Sequence, residues 1–205
     1  TFVSSKVLLN AGLMPADIFF YRFLMAYFIM LFLCHKKLRA DNIKDELTFL
    51  GLGLMGGSVY FLTENMALSY STTANVSILV STTPIITAFV LALFYKNERM
   101  KLRQIIGSFI AFIGVTLIVL NGQLNLHLNP LGDTLALIAA TTWAFYSLFM
   151  KRVMGRYCSD FITRKIFFYG VLTILPYFAI VQPLDTDTSM LFKPHIIGNL
   201  IFLGV

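Results

Sequence analysis

Apolar residues run in blocks close to 20 long, separated by short polar intervals, along the whole chain. A helix rises 1.5 Å per residue, so about 20 residues cross about 30 Å of hydrocarbon. The pattern predicts eight membrane-crossing helices: one from before Thr1 to about Leu9, then roughly 15–34, 47–69, 72–95, 104–121, 131–150, 161–181 and from 196 onward. The first and last are incomplete, because the chain begins at Thr1 without an initiator Met and ends at Val205 while still apolar. It reads as an internal fragment of a longer protein. The first apolar stretch does not look like a signal peptide, since it lacks a basic leader and carries Lys6 in its middle. The polar intervals are too short to hold a separate extramembrane domain.

Composition agrees with the pattern. Apolar residues make up 58% of the 205 and charged residues 13%, where a soluble domain carries about 25% charge. The net charge of +6 would suit a nucleic-acid binder if the cations formed a groove, but they do not. Loops 35–46, 96–103 and 151–165 hold 13 of the 16 Lys and Arg, which leaves Lys6, Arg22 and Lys193. Every second loop is basic, as the positive-inside rule requires when spans 2, 4 and 6 end in the cytoplasm. The expected setting is therefore a plasma membrane, of the bacterial inner-membrane type, with the basic loops cytoplasmic and no nucleic-acid partner. Cys34 and Cys158 fall at or in those basic loops, on the reducing side, so no structural disulfide is expected.

An offset of 143 residues pairs Phe2 with Phe145, Ser4 with Ser147, Gly12 with Gly155 and Asp17 with Asp160, and sets Arg22 opposite Lys165. Gly51 and Gly57 share their spacing with Gly198 and Gly204. A repeat of this length holds five spans, an odd number, so consecutive copies insert in opposite orientations. Inverted repeats are an architecture of secondary transporters, with the substrate site near the midplane between the copies.

The run from Ser71 through Asn75 and Ser81 to Pro84, then Asn97-Glu98-Arg99 and Gly107 to Gly114, resembles the EamA domain of the drug/metabolite transporter superfamily. A second copy opens at Gly132-Asp133, continues through Trp143-Ala144-Phe145-Tyr146 and reaches Thr163-Arg164-Lys165. The resemblance implies an all-α transmembrane bundle of ten helices in two inverted five-helix repeats. Residues 1–122 would form the first repeat, truncated at its N-terminus, and 131–205 the second, cut after the start of its third helix. It also implies movement of small metabolites; the tryptophan expected in the first helix would lie upstream of Thr1, and about two helices of the second repeat are absent from the chain.

Ionisable groups inside spans cost a few kcal/mol each, so they need a reason. Lys6, Arg22 and Glu64 lie at one depth, about six residues in from the outer ends of spans 1, 2 and 3. Either Glu64 titrates or meets a cationic solute with Lys6 or Arg22 as counter-charge, or the group is a structural ion pair with the spare cation reaching outward to water. Asp17, near the outer mouth, reads as an interfacial acid. Pro84 falls in the middle of span 4, where it removes a backbone hydrogen bond and kinks the helix, with Ser81 and Thr83 placed to satisfy the freed carbonyl. Ser77, Ser81 and Pro84 share one polar face at helical spacing, with Asn75 above them, and that face points at a cavity or at another helix. Trp143 and Tyr146 lie one turn apart near the middle of span 6; the family resemblance favours the wall of a solute pocket over ordinary packing. Gly107, Ala111 and Gly114 form a small-residue stripe suited to close approach of another helix. Glu98, and the cluster Asp160, Arg164 and Lys165, are candidates for a cytoplasmic gate, or else loop ion pairs and helix-end anchors.

His35, His127 and His195 are too far apart to suggest a metal site, and there is no phosphate-binding glycine loop, so no cofactor is expected. An ion gradient, a proton gradient included, or the solute's own gradient is the expected energy source. The expected function is secondary transport, as an exporter, of small organic metabolites such as amino acids or drug-like solutes. One repeat would rock against the other around a midplane pocket between spans 3, 4, 6 and 8, with Glu64, Asn75, Ser81, Trp143 and Tyr146 at the site. The rivals are a flippase for lipid-linked substrates, for which Lys6 and Arg22 are available, and a non-transporting assembly subunit or an intramembrane enzyme. Enzyme chemistry is disfavoured because the spans offer Glu64 as their one acid. A homodimer is left open.

Overall fold

The computed structural model describes residues 2–33, 38–95, 101–120, 129–181, 183–184 and 194–204, and their regular structure is helical. The helices are α1 (Phe2–Asn10), α2 (Pro15–Leu33), α3 (Ile43–Tyr70), α4 (Thr73–Phe94), α5 (Leu102–Leu120), α6 (Pro130–Val153), α7 (Ser159–Ile180) and α8 (Pro194–Gly204). Each lies on one of the eight apolar blocks. Among the described residues α2, α3, α4, α6 and α7 are long and apolar enough to cross a membrane. Glu98, Cys34, His35 and His127 fall outside the described residues, and Cys158 is a free, exposed thiol.

Helix α3 is the centre of the bundle, touching α1, α2, α6 and α7. It begins at Ile43, four residues before its apolar block, because Asn42 caps it: the Asp45 amide donates to Asn42 Oδ1 at 2.8 Å. Asp45 and Glu46 then occupy the first turn, where their charge complements the helix dipole. Halfway along, Leu54–Val59 winds as a π-helix. The extra residue per turn redirects the face on which Tyr60 and Glu64 follow. Glycines let this segment cross α7 almost backbone to backbone and let aromatic rings of α6 rest directly on it. A Cβ on Gly53 would lie 2.4 Å from Tyr169 Cβ, and one on Gly56 would lie 2.2 Å from Tyr146 Cδ2.

Helix α4 is broken. Thr73–Val80 and Thr83–Phe94 are separate α-helical pieces, with Pro84 in the first turn of the second. Proline has no amide to donate, and hydroxyls take up carbonyls near the break: Ser81 Oγ donates to Ile78 O and Thr82 Oγ1 to Leu79 O, both at 2.6 Å. Gly12 and Gly155, the pair set together by the offset of 143 residues, both adopt positive φ, 100° and 82°, just before α2 and α7. A left-handed turn there favours glycine.

The main core is aromatic and lies between α2, α3 and α7, with Phe19, Phe23, Phe49 and Phe161 buried. Phe19 and Phe23 are 4.2 Å apart and Phe49 and Phe161 5.5 Å apart between ring centroids. Outward-facing apolar side chains such as Phe28, Phe32, Ile110 and Ile180 are exposed, as a lipid-facing surface requires. Helix α5 contacts α4, and an added Cβ at Gly107 or Gly114 would meet nothing within 4 Å. The stripe expected to bring a second helix close therefore does not do so. Helix α8 packs on α1 and α2, away from α4 and α6, so the expected grouping of spans 3, 4, 6 and 8 is not formed.

Candidate functional site

A cavity of about 980 Å³ lies between α3, α4, α5 and α6. Its deep wall is Tyr60, Ser81 and Trp143; Thr87 and Leu91 on α4 face Gln104, Ser108 and Ala111 on α5. Leu91 and Gln104 are near the basic-loop ends of their helices, so the cavity runs from mid-bundle toward that side. Gly107 and Ala111 line it, so these small residues of α5 face open space rather than a packed helix. None of the lining residues is charged, and most of the lining is apolar with scattered hydroxyls, the usual make-up of a small-molecule site.

Three mutually tilted rings stand in a row at the cavity wall, two of them lining it and the third behind. Tyr60 and Trp143 are 4.9 Å apart between centroids, and Trp143 and Tyr146 4.8 Å. Tyr146 lies behind Trp143, against Gly56. Tyr60 Oη donates to Glu64 Oε1 at 2.9 Å. Glu64 is buried and does not line the cavity, so Tyr60 is its connection to that space. Sequence reasoning missed Tyr60. Its spacing of four from Glu64 was a readable signal, but its contact with Trp143, 83 positions away, was not.

The three ionisable groups expected at one depth are placed differently from one another. Lys6 Nζ donates to the carbonyls of Leu68 and Ser71 at the end of α3, which caps that helix and occupies the lysine. Arg22 lies over the Phe61 ring at 4.3 Å, within electrostatic range of Glu64. Asp17, expected at the interface, is buried. Asn75 is buried in the outer piece of α4, where its amide donates to Thr72 Oγ1, and it does not line the cavity. Of the five expected site residues, Ser81 and Trp143 reach it, with Tyr146 and Glu64 one contact behind.

A second cluster lies at the basic-loop end of α3 and α7. Glu46 accepts from Lys165 Nζ at 2.7 and 2.9 Å and from Tyr169 Oη at 2.6 Å. Asp45 accepts from Tyr157 Oη at 2.7 Å and from the Arg156 guanidinium. Burial and the hydrogen bond to Asp45 push the Tyr157 phenol above its ordinary pKa, so it remains a donor. Arg164 is buried with its guanidinium 5.3 Å from the Phe161 ring, and Asp160 is exposed in the first turn of α7. Asp45 and Glu46 were invisible as site residues because two acids after a capping Asn read simply as a helix start.

Residues 1–120 match the family described as the EamA-like transporter family. An uncharacterised transporter of Archaeoglobus fulgidus is 29% identical over 208 residues, covering 98% of this chain and 70% of its own length. A probable amino-acid metabolite efflux pump of Escherichia coli (strain K12) is 28% identical over 145 residues, 69% of this chain and 48% of its own. A crystal structure of a protein 16% identical superposes with a TM-score of 0.69, covering 99% of this chain and 70% of that one; that likeness concerns the fold. The chain thus spans between about half and 70% of the length of these relatives.

Proposed function

Since the chain belongs to the EamA-like transporter family, we propose that the protein it comes from exports small organic solutes, amino acids or their metabolites, by alternating access. The observation that carries this is the uncharged cavity of about 980 Å³, reaching mid-bundle and walled by Trp143 and Tyr60, with Glu64 held behind. The aromatic rings give a solute an apolar face to stack on. Glu64, with Arg22 in range, is the group through which a coupled ion or a cationic part of the solute would act. The efflux-pump name of the Escherichia coli relative supports the solute class.

Alternation would come from two inverted five-helix repeats, residues 1–122 and 131–205 and their continuation, rocking about α3 and its neighbours. The matching glycine turns before α2 and α7 support the repeat. The basic loops would be cytoplasmic, so the inner mouth of the cavity at Leu91 and Gln104 would load from the cytoplasm. A homodimer is not needed for this scheme. The flippase reading loses Lys6, which is bound to carbonyls.

Proteoliposomes of the complete protein, loaded with a panel of amino acids and amine drugs under proton or sodium gradients, test the proposal. Trp143→Ala is expected to lower flux of the transported solute at least tenfold, about 1.4 kcal/mol in barrier, and Glu64→Gln to abolish its gradient dependence. No flux for any member of the panel under any gradient would reject transport.

A further inference from the structure

We propose that Asp45 and Glu46 form a gate at the basic-loop end of the bundle, two adjacent acids that hold α3 against the opposite repeat and release it together. The proposal rests on the alternating-access reading for its purpose, though not for its test. The observation is the placement of the partners. Glu46 is held by Lys165 and Tyr169 of α7, and Asp45 by Tyr157 and Arg156 of the α6–α7 connection. Each acid takes one cation and one phenol, and every one of these partners is more than 110 positions away. Both acids also bond locally, Asp45 accepting from Asn42 Nδ2 and Glu46 from the Ala40 amide, but an isolated helix start needs none of the four distant partners, and these join two parts of the chain at one seam.

Beneath the acids is an aromatic plug. Phe49, fully buried, lies 5.3 Å from Tyr157 and 5.5 Å from Phe161 between ring centroids, so the seam beneath the ion pairs is packed with aromatic rings. Below the plug is a pivot. Gly53 and Gly57 bring α3 into backbone contact with Gly170 of α7, and the π-helical turn begins there. Gly53 is seven residues beyond Glu46, about 10 Å along the axis. A tilt of about 20° at the pivot carries the first turn some 3–4 Å, past hydrogen-bond range, while the glycine contact itself hardly moves. One member of each pair reaches solvent, Arg156 with its side chain 52% exposed and Glu46 23%, while Asp45 at 6% and Lys165 at 7% are buried. Opening the seam therefore has to bring water to Asp45 and Lys165 as their partners leave, because a buried charge without a partner is costly.

The test measures accessibility and needs no known solute. In the full-length protein, with Cys34→Ser and Cys158→Ser as background, Val153→Cys reports the seam: it is nearly isosteric, fully buried and part of the same cluster as Phe49. A membrane-impermeant maleimide is applied from the basic-loop side. Asp45→Asn with Glu46→Gln is expected to raise the labelling rate roughly tenfold by populating the open seam, and Glu46→Lys combined with Lys165→Glu to bring it back toward the parent. Should the double variant not fold, Tyr157→Phe and Tyr169→Phe, which each remove one hydrogen bond, are expected to raise the rate severalfold. Labelling unchanged by these variants, or raised equally with and without the swapped pair, would show a static tether and overturn the gate. Because no solute enters the measurement, failure of the solute panel leaves this result standing, and the converse holds too.

Discussion

The two flanks of α3 are built in contrasting ways. Toward α7 it has glycines, a buried aromatic plug and paired charges, and the helices meet with no room for a methyl group at Gly53. Toward α4 and α5 it presents Tyr60 to an open cavity, and a methyl group at Gly107 would touch nothing. Glycine is used on both flanks for opposite ends, close contact on one and space on the other. The lesson is that a small residue in a membrane helix has no fixed meaning until its neighbour is known. On the proposed reading the tight flank serves as a fulcrum and the roomy flank takes a guest, so mechanics and recognition would fall on opposite sides of a single helix.

Substitutions can break this contrast, and the largest effect belongs to the tight flank. Gly53→Val would drive side-chain atoms into the Tyr169 and Gly170 backbone and is expected to cost about 3 kcal/mol. It would show as a lost or strongly lowered thermal transition in detergent, and wild-type behaviour would disprove the close seam. Next comes Tyr60→Phe, which keeps the ring but takes the donor from buried Glu64, at about 2 kcal/mol. Trp143 is the single tryptophan, so its fluorescence reports whether the row of rings survives the change.

A smaller effect is expected from Tyr169→Phe, which removes one of the hydrogen bonds to Glu46. About 1 kcal/mol is lost by thermal melting, because Lys165 still holds the carboxylate. Gly107→Ala should change stability least, staying within about 0.5 kcal/mol or gaining slightly from better helix propensity. A large destabilisation there would mean that α5 is packed against something after all, and the cavity would have to be redrawn.

The sequence determined the solvent and the elements. Block length and the sparsity of charge are one-dimensional properties that any membrane helix must satisfy alone, since its backbone can bond only within itself; hence the helices of the described residues lie on apolar blocks, five of them long enough to cross a membrane. It also disclosed the break at Pro84, a local consequence of a missing amide, and the glycine pair before α2 and α7. The partners were decided by the tertiary structure. Lys6 found carbonyls instead of Glu64, α8 went to α1 and α2 instead of the cavity, and Asp45 and Glu46 acquired their cations and phenols from across the chain. Depth along a helix can be counted from residues, but the direction in which a side chain points around it depends on winding, and the π-helical turn in α3 changes that winding midway. Contacts between helices follow from that angle, which no count along the chain supplies.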